Sequence, residues 1–422
     1  FDENKDRDIE AIKEKTGDSE LVQIELGELG EDALSSSQLM VISPGIPVDA
    51  PFTDVVRNAG IPIWSEIELA YHYGKGKIAA ITGTNGKTTT TALVGEIVKA
   101  HNAKTIVVGN IGIPYTELCD TTDDDSDTVA EISSFQLETV IDFHPNVSAI
   151  LNLTPDHLNR HYTFENYGNV KFSITKNQTM DDVTVLNYDD EHTRAMGEKA
   201  KDHCHVVYFS RLEKPAGGVY VEDGDIILED GDKKINVLAI KDLKLMGAHN
   251  VENVLAAVGI SYYMGVPVDV IRDVATSFKA VAHRIEYVDT IDGVAYYNDS
   301  KGTNPDAAIK GIQAMVAPTF LIGGGYDKGS EYDEWIEAFD GKVKWLVLIG
   351  QTAQKIADCA KRHGFNSIIF EENLQDAVAY CHENAVDGDA VLLSPACASW
   401  GQFDNYEQRG DMFKEYVRSY KE

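Results

Sequence analysis

Apolar and polar positions alternate in blocks along most of this chain. Between about residues 75 and 160, the apolar runs KIAAIT, KTIVVG, TVAEIS and VSAILNL are separated by helical or polar stretches. Short apolar runs spaced by helix-length segments predict a parallel sheet with crossover helices. The pattern returns beyond about residue 281. There GVAYYND, TFLIGGG, KWLVLIG and DAVLLSP read as strands, with helices between them such as 351–363. Between the two blocks, GVYVEDGDIILEDGDKKINV (218–237) carries two Asp-Gly pairs among alternating residues, which predicts an antiparallel meander. A strongly apolar helix is expected over 247–265. The opening is a partial α/β unit: the short strand QLMVI (38–42), the turn Ser43-Pro44-Gly45, the helix-like PFTDVVRNAG and then IPIWS. No strand is expected before it, and no block repeats another at a fixed period.

The chain has 422 residues, which at roughly 150 per domain suggests three domains. Hydrophobic content of 43% and charged content of 25% are those of a globular protein. No apolar run approaches the roughly 20 residues of a membrane span. The first thirty residues lack the apolar core of a signal peptide and an initiator Met, so a processed, trimmed or incomplete start is expected. Net charge is 37 − 69 = −32. Such a chain repels nucleic acid and anionic lipid as a whole, so neither is expected as a partner. Any anionic ligand must be held by a local concentration of positive groups. Five scattered cysteines without CxxC spacing fit reduced thiols in a cytoplasmic protein. The run DTTDDDSD (120–127) reads as solvated surface.

ITGTNGKTTTT (81–91) departs from the phosphate-binding spacing G-x-x-x-x-G-K-[ST]. Ile81 stands where the first glycine belongs, and the turn is confined to Gly83, Thr84, Asn85 and Gly86. The context is nevertheless that of a phosphate loop, with a buried strand before it and a helix to about residue 100 after it. Glycines let backbone N–H groups approach phosphate oxygens, and the helix N-terminus adds partial positive charge. Lys87 adds a full charge, Thr89 continues the first helical turn, and the Thr88 hydroxyl can ligate Mg²⁺. A chance strand–turn–helix corner is the bland alternative.

A nucleotide implies Mg²⁺, which needs oxygen ligands. Glu131 ends a strand at the edge where parallel sheets place ligands. His157, in NLTPDHLNRH, follows the next strand. Singly, the two read as a capping Glu and a structural His; together, beside the loop, they read as a metal site. In the last block, YNDSKGTNPDA (297–307), GGGYDKG (323–329) and SPACASWGQFDNYEQRG (394–410) each follow a strand. Their shared position suggests a binding rim for a polar anionic substrate. Lys171, in YGNVKFSI, reads as one more exposed helical lysine.

The set GTNGKTTT, GNIG, EISSFQLE, DHLNRH, GAHN, HRIE, NDSKGTN, GGGYDKG and SPACASW, in order from about residue 43 to 410, resembles the Mur ligases. GTNGKT is shared with folylpolyglutamate ligases. SPACAS followed by FDNYEQRG points to the family member that adds D-glutamate to UDP-N-acetylmuramoyl-L-alanine. The resemblance implies an α/β protein of three domains. They are a truncated Rossmann-like UDP-sugar domain (1–73), a central parallel-sheet, P-loop-type ATPase domain (74–280) and a Rossmann-like amino-acid domain (281–422). It implies an ATP-dependent acid–D-amino-acid ligase of peptidoglycan precursor synthesis, cytoplasmic and monomeric. Its domains would close over an acyl phosphate to exclude water.

By residue, the resemblance puts Lys87 on the phosphates and Thr88 and Glu131 on one Mg²⁺. His157 and a Lys171 carbamylated by CO₂ would serve a second Mg²⁺. Ser43, Gly45 and Asn110 would touch the UDP-sugar substrate. Asn250, Arg284 and Asp299 would hold adenine, phosphate and ribose. Thr303, Lys328, Ser399 and Tyr406 would hold D-glutamate. The family's first strand, Gly-containing loop and helix do not precede Phe1, so this chain is expected to bind ATP but turn over poorly. Three other readings of the chain stay open. One is another Mur or folylpolyglutamate-type ligase, and nothing like a diaminopimelate-binding DNPR segment appears. The second is a P-loop switch or coupling NTPase, which should hydrolyse ATP without an amino acid. The third is an ATP-binding fragment inactive as a ligase.

Overall fold

The structure is a computed structural model that describes Phe1, Ile9, Lys13 and residues 23–421, except 28, 111, 246, 247, 280, 281, 316 and 328. The chain divides into two compact units, Phe1–Phe278 and Lys279–Glu422.

In unit 1 the helix Glu31–Ser36 precedes two short parallel strands, β1 (Met40–Ile42) and β2 (Ile63–Ser65), joined by the helix Pro51–Asn58. Ile42, Val56, Ile61 and Ile63 form its small core. A nine-stranded sheet follows. Its strands are β3 (Lys77–Thr82), β4 (Thr105–Gly109), β5 (Asp127–Glu131), β6 (Val147–Ile150), β7 (Val183–Asn187), β8 (His205–Ser210), β9 (Gly218–Glu222), β10 (Asp225–Asp230) and β11 (Lys233–Ala239). The order is β11-β10-β9-β8-β7-β6-β3-β5-β4. Strands β3 to β9 pair in parallel, and β9–β10–β11 form the antiparallel meander expected from the Asp-Gly pairs. Asp223 and Gly224 both take positive φ, as a primed hairpin turn requires. Strands β7 and β8 were not expected from the sequence. Both are short and lie next to the helix Glu191–Ala200, where periodicity does not separate a buried strand from a helical run.

Chain order reverses beside β3: β4 and β5 lie on one side of it and β6 on the other. A crevice at the carboxyl ends of the strands is expected at such a switch point, and the loop 83–86 occupies it. The helix Lys87–His101 packs against the apolar helix Ala248–Tyr263, which buries Val254 to Ile260 almost without interruption.

Unit 2 holds a six-stranded sheet. Its strands are β12 (Glu286–Ile291), β13 (Val294–Asn298), β14 (Thr319–Gly323), β15 (Val343–Leu348), β16 (Ile368–Phe370) and β17 (Ala390–Leu393). The order is β12-β13-β17-β14-β15-β16, and only β12 runs antiparallel, as an edge strand not expected from the sequence. The period of two along a strand explains how the sheet is covered. Leu321, Leu346, Leu348 and Leu392 enter one core, while Phe320, Ile322, Val347, Val391 and Leu393 enter the other. Two apolar faces require helices on both sides, so the strands read as continuous apolar runs.

Candidate functional site

The phosphate-loop segment is built from β3 outward. Ile81 is fully buried and pairs with Glu131 on one side and Ala149 on the other. It is a ladder residue, not part of the turn. The turn itself is pinned by the segment after β6. Thr84 N–H donates to the Asn152 carbonyl (3.0 Å), and the Asn152 side chain bonds both the N–H (2.8 Å) and the carbonyl (3.1 Å) of Asn85. The Thr84 hydroxyl lies 3.1 Å from the Tyr167 hydroxyl. Gly86, at φ 82°, caps the helix without a side chain, so the first-turn N–H groups face the crevice. A Cβ on Gly86 would stand 2.2 Å from Asn253 Oδ1. Lys87 Nζ reaches back to the carbonyls of Gly83 and Thr84, each at 2.9 Å. Thr89 is half-buried on the same turn.

Glu131, 2% exposed, is brought to this loop by its ladder pairing with Ile81. The Thr88 hydroxyl donates to its Oε2 (2.9 Å) and Asn110 Nδ2 donates to its Oε1 (2.8 Å). The Thr88 and Glu131 oxygens fit a hard cation. Adjacent ligands of an octahedral Mg²⁺ at about 2.1 Å stand roughly 3 Å apart.

Asn110 also lines a cavity of about 330 Å³ with Val41, Ile42, Ser43, Pro44, Glu66, Gly109, Pro114 and Gln136. Ser43 is on that wall, whereas Gly45 is exposed and is not one of its lining residues. Two polar residues there were missed by sequence reasoning. Gln136 Nε2 donates to Glu66 Oε1 (2.6 Å), while Gln136 Oε1 accepts from Ser133 N–H (2.7 Å) in a capping box. Among the described residues the other, buried Glu66 oxygen has no hydrogen-bond partner, and burial raises the pKa of its carboxyl. The S-x-x-Q spacing in SSFQ was a readable cue for Gln136; Glu66 carries no such cue.

His157 takes a left-handed backbone (φ 53°) ahead of a short helix, with its ring 4.9 Å from that of Phe135. The missed residue of this segment is Arg160. It forks onto Glu138 and donates to the Ile46 carbonyl (2.7 Å), tying the 43–50 loop to the large sheet. His161 is buried, and desolvation pushes its pKa down to about 4, so it is neutral at pH 7.

Lys171 corrects the exposed-lysine reading. It is 2% exposed, and its Nζ donates to the Gly83 carbonyl (2.9 Å) and lies 3.3 Å from Thr82 Oγ1. Its helix, Phe164–Phe172, turns Tyr167, Gly168 and Lys171 inward at helical spacing. The apolar stem packs there while the ammonium finds oxygen at the start of the phosphate loop. Asn250, in the first turn of Ala248–Tyr263, accepts from Asn253 Nδ2 (3.2 Å). Asn253, also missed, accepts from Thr90 Oγ1 (3.3 Å) and so links that helix to the loop helix.

In unit 2, the loops after β13, β14 and β17 emerge from neighbouring strand ends. Asp299 was expected to face a ribose. In the structure Ser394 Oγ donates to its Oδ2 (2.6 Å) and Ile285 N–H to its Oδ1 (3.2 Å). Desolvation raises its pKa to about 7. Arg409, fully buried, donates to the Ser300 hydroxyl and carbonyl and to the Cys397 carbonyl (2.8–3.1 Å). Asp299 and Arg409 thus knit HRIE, DSKGTN, SPACAS and the helix Tyr406–Ser419 together. His283 (φ 63°) and Ile285 (φ 45°) flank the half-buried Arg284 in left-handed backbone. That conformation is strained for a β-branched residue, and bonds to Glu286 and Asp299 hold it. Thr303 is half-buried and Ser399 buried. Tyr406 lies under the Lys301 ammonium, 5.7 Å from ring centre to Nζ. Lys328 lies outside the described residues.

The Mur ligase middle domain family matches residues 81–261, and the Mur ligase glutamate ligase domain family matches residues 283–397. A UDP-N-acetylmuramoylalanine--D-glutamate ligase of Lachnospira eligens is 56% identical over 419 residues, 99% of this chain and 92% of that protein. One of Clostridioides difficile is 48% identical over 421 residues, 100% of this chain and 92% of that protein. Among solved structures, a pseudomurein peptide ligase type C from Methanothermus fervidus matches with TM-score 0.55 at 17% identity, covering 99% of this chain and 93% of its own. A MurF ligase from Thermotoga maritima in complex with ADP matches with TM-score 0.54 at 17% identity, covering 92% and 97%.

Proposed function

The chain belongs to the Mur ligase family, and from that premise we propose that it joins D-glutamate to UDP-N-acetylmuramoyl-L-alanine with ATP, in the cytoplasm. The observation that carries this reading is the Glu131 carboxylate. One oxygen takes the phosphate-loop hydroxyl of Thr88, and the other takes Asn110 on the cavity wall. A single group therefore sits between the place for a γ-phosphate and the place for a carboxylate substrate. The choice of D-glutamate rests on the similarity to the two D-glutamate ligases.

A carboxylate is a poor electrophile. Transfer of the γ-phosphoryl group to the terminal carboxylate of the UDP-sugar substrate makes an acyl phosphate. The amine of D-glutamate attacks that carbonyl carbon, and the tetrahedral adduct expels inorganic phosphate and loses the amine proton. Lys87 and the first-turn N–H groups neutralise charge on the phosphates. Mg²⁺ held by Thr88 and Glu131 would supply further charge neutralisation. His157 and a carbamylated Lys171 are proposed for a second ion. Burial of Lys171 beside the loop supports that role, and labelled bicarbonate giving a carbamate resonance absent from Lys171→Gln would test it. Asn250, Arg284 and Asp299 are proposed toward ATP, with Asp299 acting through HRIE. Thr303, Lys328, Ser399 and Tyr406 are proposed toward D-glutamate. The ATP-binding and amino-acid domains are proposed as 74–280 and 281–422, with 1–73 toward the UDP-sugar.

The test is phosphate release from ATP with UDP-N-acetylmuramoyl-L-alanine and, in turn, D-glutamate, L-glutamate, L-lysine or meso-diaminopimelate. Release should need both carboxylate and amine and should prefer D-glutamate. Without amine, hydroxylamine should trap the acyl phosphate as a hydroxamate. ATP hydrolysis independent of both substrates, or preference for another amino acid, overturns the assignment.

A further inference from the structure

Unit 2 carries a cluster of side chains that the ligase reading does not use. Cys359 lies near the end of the helix Ala353–Arg362, His363 is the capping residue of that end, and Asp333 opens the helix Asp333–Glu337. Residues 359 and 363 are four apart and so share a helix face. The Cys359 sulfur, a His363 ring nitrogen and an Asp333 carboxylate oxygen all lie within 4.8 Å of one another. His363 Nε2 is 2.8 Å from Asp333 Oδ1, and its Nδ1 is 3.7 Å from Glu337 Oε1. We propose that Asp333, Cys359 and His363 form a zinc site that fastens these two helices, separate from the ATP chemistry.

The chemistry favours zinc over the Mg²⁺ of a phosphate site. Thiolate and imidazole suit zinc, whereas Mg²⁺ takes oxygen. Ligands of a tetrahedral zinc at about 2.0–2.3 Å stand roughly 3.5 Å apart, so the three groups reach that spacing by side-chain torsion. A fourth position is left for water. Cys359, 2% exposed, forms the floor, while the side chains of Asp333 and His363, 45% and 25% exposed, leave a route in from solvent. The carboxyl end of a helix carries partial negative charge, which adds to the attraction for a cation. Glu337 stands behind His363, where an outer carboxylate orients a ligating imidazole. Arg362, 3.5 Å from Asp333, opposes the ion, but at 61% exposed it is free to swing into solvent. On binding, the sulfur–hydrogen bond is replaced by a sulfur–zinc bond, and the proton leaves to solvent.

Glu68, His72 and Asp142 form a second cluster of the same size. It is a poorer site, because Glu68 already accepts three backbone N–H bonds. It serves as a control.

Co²⁺ is the probe, titrated into the full chain with excess Mg²⁺ present. A near-ultraviolet sulfur-to-cobalt charge-transfer band should appear at one ion per chain and vanish on adding Zn²⁺. The band should be lost in Cys359→Ser. His363→Gln and Asp333→Asn, at solvent-accessible positions, should keep the fold and weaken Co²⁺ binding by about tenfold or more. Glu68→Gln should leave the band unchanged, and a fixed Zn²⁺ concentration should raise the melting temperature of the wild type more than that of Asp333→Asn. No band, a band that survives in Cys359→Ser, or affinity indifferent to His363→Gln would overturn the site and leave a plain hydrogen-bonded pair between helices.

Discussion

Gly86→Ala tests the phosphate loop in a way that geometry alone makes quantitative. Gly86 sits at φ 82°, and an added Cβ would lie 2.2 Å from Asn253 Oδ1. The left-handed backbone costs an alanine about 1–2 kcal/mol. Relieving the overlap needs Asn253 to move by about an ångström, which breaks its bond from Thr90 (3.3 Å) at roughly 1 kcal/mol. The sum, about 2–3 kcal/mol, corresponds to a melting-temperature drop of roughly 3–6 °C for a unit of this size. Asn253 donates to Asn250 (3.2 Å), which is proposed toward ATP, so on that proposal the same shift should weaken ATP at least several-fold. Gly224→Ala is the internal control. Gly224 has a similar φ of 86° but nothing within 4 Å of an added Cβ, so it reports the backbone cost alone. Calorimetric melts and ATP titrations of the two variants decide the matter. Should Gly86→Ala melt with Gly224→Ala and bind ATP as the wild type does, the contact between loop and helix is not what shapes the site.

Three further outcomes follow from buried charge. Glu68 is fully buried and accepts the N–H groups of Ile141, Asp142 and Phe143 at 2.7–3.0 Å. Glu68→Gln replaces one acceptor oxygen with a donor and should cost about 3 kcal/mol, seen as faster hydrogen exchange at those three amides; unchanged protection refutes the clamp. Arg160→Lys cannot fork onto Glu138 while also reaching the Ile46 carbonyl. It should raise KM for the UDP-sugar several-fold with little change in kcat, and an equal fall in kcat contradicts the anchoring role. Asp299 has its pKa raised from 3.8 to about 7 by burial. The folded state then binds the extra proton, so this group's contribution is full below about pH 4 and is lost as pH rises to about 7, at up to roughly 1.4 kcal/mol per pH unit. Asp299→Asn should flatten that part of the stability profile of unit 2, and a profile identical to the wild type's refutes it.

The elements that were legible in the sequence are those whose residues act locally. The loop at 83–86, the helix after it and the meander each carry turn residues and a period that a short window contains. β12 was not legible, because EYVDTI is a mixed edge strand whose partner and antiparallel sense come from the sheet. Lys171 was misread for a related reason. Helical spacing places it beside Tyr167 and Gly168, but only the tertiary fold brings the carbonyl of Gly83, 88 positions away in sequence, to its ammonium. Asp299 shows the same dependence on distance. The motif marks it as chemical, and only the fold brings Ser394, 95 positions on, to its carboxylate.

The candidate site therefore depends on pairings over distance more than on motifs. Thr88 and Glu131 are 43 residues apart, and Asn110 and Glu131 are 21 apart. The ladder explains both. Parallel pairing of β3 with β5 sets Ile81 beside Glu131, and pairing of β4 with β5 sets Gly109 beside the same residue. Each loop then leaves its strand at the level of one carboxylate. A one-residue slip of β5 would turn Glu131 to the other face of the sheet and separate the phosphate loop from the cavity wall, with every motif still present in the sequence. Register, held by buried Val129 and Ala130, is what brings GTNGKT, GNIG and EISS together from three separate signals into one candidate site.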